Sequence, residues 1–188
     1  MTDDTMIPLG YMLKAVTTPA PAWMKSPQVR FVHSLSGCVS ANFGDYINLW
    51  QHNGWWLFDS PAAVRHAAES LSVPSEALEL FYYEAFSRQF NEDSKSWEPI
   101  EPETSFATQV TLPDQTRVSL SGYDVVTFFV RAGPECSPLS CNGLAASLPA
   151  NARCLFDNFD LARSAVENGD FANSEPGPFR IIAVYKVS

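Results

Sequence analysis

An α+β fold with a mixed, mainly antiparallel sheet is the architecture this sequence predicts, and three features point to it. Runs of β-branched and aromatic residues alternate with short amphipathic stretches, two of the runs are separated only by a turn, and part of the chain matches itself. The 188 residues are 46% hydrophobic and 18% charged, enough to bury one sizeable core, so residues 1–188 read as a single compact domain.

Sliding the chain against itself by 98 residues places Asn53, Leu57, Phe58 and Asp59 on Asn151, Leu155, Phe156 and Asp157. They belong to ten identities in the 39 positions from Phe31 to Glu69, against about two or three expected by chance. The reading is a duplication with halves at about 29–112 and 118–187, related by a pseudo-two-fold axis. The competing reading is that any two strand–turn–helix units share caps and core residues. Glu101-Pro102 matches Glu175-Pro176 at an offset of 74 instead of 98, which predicts an insertion of about 24 residues, placed at 74–98 in the first half.

The elements follow in chain order. Leu9–Thr17 and Val29–Leu35 are expected strands, 43–51 a helix and Gly54–Phe58 a short strand. Ser60 is a natural N-cap and Pro61 suits a first helical position, so a helix should run over 61–71 with Val64, Ala67, Ala68 and Leu71 inward. In the inserted stretch Ser75 can cap a helix over 75–91 with Leu78, Phe81, Tyr82, Ala85 and Phe86 inward. Phe106–Leu112 and Val118–Val130 should form a hairpin about Asp114 and Gln115. A short helix over 140–147, a strand over Arg153–Phe156, a helix over 159–168 capped by Asn158 and stopped at Gly169, and a strand over Phe179–Val187 complete the chain.

Charge narrows the function. Twelve Lys and Arg against 21 Asp and Glu give −9, the wrong sign for following a phosphate backbone or an anionic membrane. No apolar run is long enough to cross a bilayer and the first residues are acidic, so a cytoplasmic protein is expected, bound to neither nucleic acid nor membrane. The four cysteines read as thiols, with no zinc spacing, no phosphate-cradling glycine loop and no hydrolase elbow. Neither a metal nor a cofactor is therefore expected, and the oligomeric state is not legible.

Two candidate sites remain. In 133–142 (GPECSPLSCN), Ser140 would cap a helix and place Cys141 in its first turn, where the helix field favours a thiolate. Cys141 or Cys136 would then be the nucleophile of a cysteine-dependent enzyme, with His33 as base; the alternative is that these cysteines are small core residues. The second site is acidic. Between 76 and 103 eight carboxylates stand against Arg88 and Lys95, and Glu79, Tyr83 and Glu84 would present an outward helix face to a basic protein partner, or serve only solubility. Of the adjacent Trp55 and Trp56, one should enter the core and the other can meet a partner. The favoured function is a small acidic protein-binding protein, of the immunity, antitoxin or adaptor kind, with the cysteine enzyme as the alternative.

Overall fold

The computed structural model describes residues 5–16, 19–36, 53, 55, 57–70, 72, 78–100, 109–129 and 133–188. The expected helix over 43–51, the strand residues 106–108, and Cys38, Trp56 and Ser75 lie outside these. Six strands form one sheet: β1 (Met6–Lys14), β2 (Glu79–Asn91), β3 (Ser96–Pro99), β4 (Val118–Phe129), β5 (Gly133–Cys136) and β6 (Phe179–Val187). The order is β1-β2-β6-β4-β5, with β3 continuing the β1 edge along β2. Every pairing among the described strands is antiparallel, so the parallel component of the expected mixed sheet is corrected. Helices α1 (Pro61–Ser70), α2 (Pro138–Cys141) and α3 (Phe159–Glu167) complete an α+β fold.

The largest correction concerns the inserted segment. Residues 79–91 are not a helix but β2, with β1 and β3 on one edge and β6 on the other. Leu80 to Tyr83 are buried one after another, because a central strand covered on both faces loses the alternation that separates strand from helix. The aromatic run then favours the extended state. There is accordingly no acidic helix face at Glu79, Tyr83 and Glu84.

Other differences are local. Residues 29–36 lie across the sheet with only a bridge at Val32, and Arg30, Phe31 and His33 donate their N–H groups to the carbonyls of Ala152 and Arg153. No hairpin forms at Asp114; its carboxylate caps a 3₁₀ turn over Gln115–Arg117 by accepting from the Thr116 N–H at 2.9 Å, and residues 109–114 form no strand. The helix expected over 140–147 is α2 followed by a 3₁₀ turn over Leu144–Ala146, divided where Gly143 takes φ +70°. Arg153–Phe156 is a turn with Cys154 at φ +63° that bridges only at Phe156. By contrast α1, α3, β4 and β6 stand where the sequence places them. Ser60 accepts from the Ala63 N–H, Asn158 accepts from the Leu161 N–H, and Gly169 is left-handed at φ +79°.

One corner geometry occurs twice, on β1 and on β4. In β1 the register slips at Leu9 and in β4 at Ser121, and the next residue is glycine, Gly10 or Gly122. Asn53 Nδ2 donates to the Leu9 carbonyl and Asn151 Nδ2 to the Ser121 carbonyl, at 3.0 and 3.1 Å. Each asparagine also donates to the following aspartate, Asp59 or Asp157, at 3.0 Å. Their Oδ1 atoms accept two backbone N–H groups each, from Trp55 and Leu57 or from Arg153 and Leu155. Tyr11 then exchanges both backbone bonds with Phe58, and Tyr123 does so with Phe156. Glycine is required at both places, since a Cβ would lie 2.5 Å from the Phe58 carbonyl oxygen or 2.6 Å from that of Phe156.

The register sorts side chains between two faces. Tyr11, Tyr82, Glu84, Tyr123 and Tyr185 point toward the helices, α1 over β1 and α3 over β4 and β6. Lys14, Phe81, Tyr83 and Asp124 point to the opposite face, which residues 29–36 and α2 cover.

Candidate functional site

Glu84 stands on the helical face at the middle of the sheet, between the strands that carry the two helices. Its neighbours are aromatic. Tyr82 is two residues earlier on β2 and therefore on the same face, and it pairs in register with Tyr185 of β6, ring centroids 5.8 Å apart. The Tyr82 hydroxyl donates to Glu84 Oε1 at 3.0 Å and the Tyr185 hydroxyl to Oε2 at 3.1 Å. Burial raises both phenol pKa values well above the ordinary range, and the Glu84 charge pushes the same way. Tyr123 of β4 is raised by the same two causes. Glu84 is half-buried and forms no ion pair among the described residues. Leu120, which pairs with Tyr185, is 43% exposed beside this group.

That arrangement is suited to accepting a cation. A carboxylate held by two phenol donors keeps further lone pairs free to accept from a cation. Sequence reasoning named Glu84 but missed Tyr82, Tyr123 and Tyr185. The available signal was the spacing of Tyr82 and Glu84, which puts them on one face of a strand and on different sides of a helix.

The other acidic and aromatic candidates are not gathered there. Glu79 pairs with Lys186 at 2.7 Å near the end of the sheet. Tyr83 points to the opposite face, is wholly buried, and its hydroxyl has no hydrogen-bond partner among the described residues. Trp55 is buried, with the Arg180 guanidinium 5.8 Å from its ring centroid. Burial lowers the Arg180 pKa to about 10 while Gln89 Oε1 accepts from its Nε and Nη2.

The thiol loop packs onto the opposite face. Ser137, not Ser140, holds the N-cap position of α2, and its hydroxyl donates to Asp124 Oδ1 at 2.6 Å instead of capping. Cys141 is the last residue of this four-residue helix, its N–H donating to the Ser137 carbonyl at 2.7 Å; its Sγ is 2.8 Å from Ser36 Oγ. Cys136 ends β5, half-buried. His33 is buried against Phe81, with Nδ1 3.2 Å from Ser121 Oγ. Burial lowers its pKa to about 4, helped by Arg153, Lys14 and Lys186 and opposed by Glu79. No hydrogen bond joins His33 to Cys141 or Cys136 among the described residues.

Around them runs a buried polar network. Asp124 is wholly buried and also accepts from the Leu35 N–H at 2.9 Å. Burial raises its pKa to about 6, against the pull of those hydrogen bonds and of Lys14. Lys14, itself 1% exposed, donates from Nζ to the Ser36 carbonyl, and Ser34 and Ser140 share a hydroxyl bond at 2.8 Å. The bonds fasten residues 29–36 and α2 to the sheet.

Among the described residues no group of three or more His, Cys, Asp or Glu could hold a metal ion, and no helix is long and apolar enough to cross a membrane. Comparison with protein-family models, curated proteins and solved structures finds no match.

Proposed function

We propose that this chain is a protein-binding protein, and that Glu84 with Tyr82, Tyr123 and Tyr185 receives a lysine or arginine side chain of a basic partner. The observation that carries the reading is a half-buried carboxylate, oriented by two tyrosine hydroxyls, with no ion pair among the described residues. A chain of formal charge −9 favours such a partner at encounter. Two copies of one strand–corner–helix–strand unit would account for the setting. The repeated corner contacts make β1 the counterpart of β4 and β2 that of β6, and Tyr83 pairs with Val184 where a two-fold axis between the copies would pass. Glu84 is then next to that axis, between α1 and α3. On this mapping the extra length of the first unit falls between Gly10 and Asn53, and the 74–98 segment holds β2, a necessary part of the unit.

The test is calorimetric titration with a short peptide of alternating lysine and leucine. Glu84→Gln should weaken binding about tenfold or more, because it removes the one charge the cage presents. Asp93→Asn, an exposed acid on the β2–β3 turn, should change it little. Equal losses in the two variants would reduce Glu84 to a contributor of general surface charge and overturn the reading.

A further inference from the structure

Residues 5–36 carry Lys14, Lys25 and Arg30 and no carboxylate at all, in a chain with 21 Asp and Glu. Their outer part, residues 19–31, is rich in proline and projects two aromatic side chains into water, Trp23 at 50% and Phe31 at 40% exposure. Lys25 and Arg30 are exposed on the same stretch. Arg153 is exposed beside it, its carbonyl accepting the His33 N–H. Pro21, Pro27 and Val29, with Lys25, Arg30 and Phe31, help line a shallow groove of about 640 Å³.

The segment is held in place. Met24, Val29 and Val32 are buried beneath it, Met24 against the Cys154 thiol. Ser26 Oγ and Gln28 Nε2 both donate to the Ala145 carbonyl, at 2.9 and 2.8 Å. The N–H groups of Arg30 and Phe31 share the Ala152 carbonyl. Anchored at both ends, Trp23 and Phe31 are presented with little conformational freedom left to lose on binding, and tryptophan and arginine are the residues on which interface energy concentrates.

We propose that residues 19–31 form a second docking surface, whose occupant is an acidic segment of a partner protein that sets an apolar side chain in the groove beside Phe31 and covers Trp23. Charge complementarity selects this occupant: Lys25 and Arg30 line the groove with Phe31, and no carboxylate lines it among the described residues, while exposed charges beyond a Debye length of about 8 Å are largely screened. A nucleic acid fits less well, since a continuous polyphosphate would extend past three cations onto an acidic molecule. The surface is independent of Glu84, which lies on the helical face and has the opposite preference. A chain with both would bridge a basic partner and an acidic one.

The test is an amide-resonance titration of the full chain with a short peptide of alternating glutamate and leucine. Shifts should concentrate at residues 22–31 and 152–153, and the affinity should fall about tenfold in Trp23→Ala and in the double variant Lys25→Glu, Arg30→Glu. The double variant alters only exposed side chains, so it decides the matter even if Trp23→Ala unfolds. The proposal fails if the acidic peptide leaves these amides unmoved or if both variants bind it normally. It is replaced by a nucleic-acid site if oligouridylate moves the same amides at lower concentration, and by self-association if light scattering shows a concentration-dependent mass that Trp23→Ala abolishes.

Discussion

At the first corner the slipped residue before the glycine is Leu9, wholly buried in the core, whereas at the second corner the same place is held by Ser121, whose hydroxyl meets His33. The asparagine-centred contacts around it repeat among the described residues. The asparagine, the glycine, the aspartate and the paired Tyr–Phe backbone bonds recur with distances that agree within a few tenths of an ångström. Local geometry is thus indifferent to what the slipped side chain does, and that side chain is free to differ. In one corner it fills the core; in the other it leads into the polar network of Asp124, Lys14 and the serines.

Substitution of the glycines should give the largest effects and the most equal ones. Gly10→Ala and Gly122→Ala each force a Cβ against a carbonyl oxygen at a φ of +131° or +144°, and each should cost about 3 kcal/mol or more in urea unfolding. Gly169→Ala, also at positive φ but with no atom within 4 Å of the added Cβ, should cost only about 1 kcal/mol. Equal costs at all three would mean that the backbone conformation alone, and not the corner contact, demands glycine.

The asparagines should separate the corners. Asn53 is 1% exposed, and Asn53→Ala strands the Leu9 carbonyl and two N–H groups away from water and removes a donor from the half-buried Asp59 carboxylate; a loss of about 3 kcal/mol is expected. Asn151 is only half-buried, so water can replace part of its bonds and Asn151→Ala should lose about 1–2 kcal/mol. A larger loss at Asn151 would show that burial does not set the scale.

The smallest effect at neutral pH, visible only on acidification, comes from the asymmetry at Ser121. The His33 pKa is lowered by folding from 6.5 to about 4, so its stabilising contribution is full above pH 6.5 and lost as the pH falls toward 4. The Asp124 pKa is raised from 3.8 to about 6, so the folded state gains stability as the pH falls from 6 toward 3.8. The two trends offset each other over the shared window. Relative to the unsubstituted chain, His33→Gln should grow more stable between pH 6.5 and 4.5, and Asp124→Asn less stable. Denaturant midpoints across that range check both signs, and parallel curves for all three proteins would contradict the buried positions of the two groups.

Much of the helical half of the fold was legible in advance, because caps and stops are local. Ser60, Asn158 and Gly169 act through bonds and dihedrals within a few residues, and they bound α1 and α3 where expected. The corner was half legible: Asn53, Leu57, Phe58 and Asp59 stand out by their recurrence, but their partners in β1 and β4 lie at a different offset. The Gly-Tyr pair common to 10–11 and 122–123 was the signal for them. Glu84 was recognisable as a candidate, but its cage was not, since Tyr123 and Tyr185 reach it only through strand pairing.

By itself the sequence determined the strongly acidic charge, the α+β class and the capped helices α1 and α3, all of which follow from composition or from interactions spanning a few residues. Tertiary structure decided that 79–91 is a strand, that Cys141 and His33 do not form a hydrogen-bonded pair, and that the aromatic, cation-rich surface at Trp23 stands apart from the carboxylate at Glu84. The physical reason is shared by all three. A run apolar on both sides has no period of its own, and which elements cover it depends on long-range pairing that no local pattern encodes.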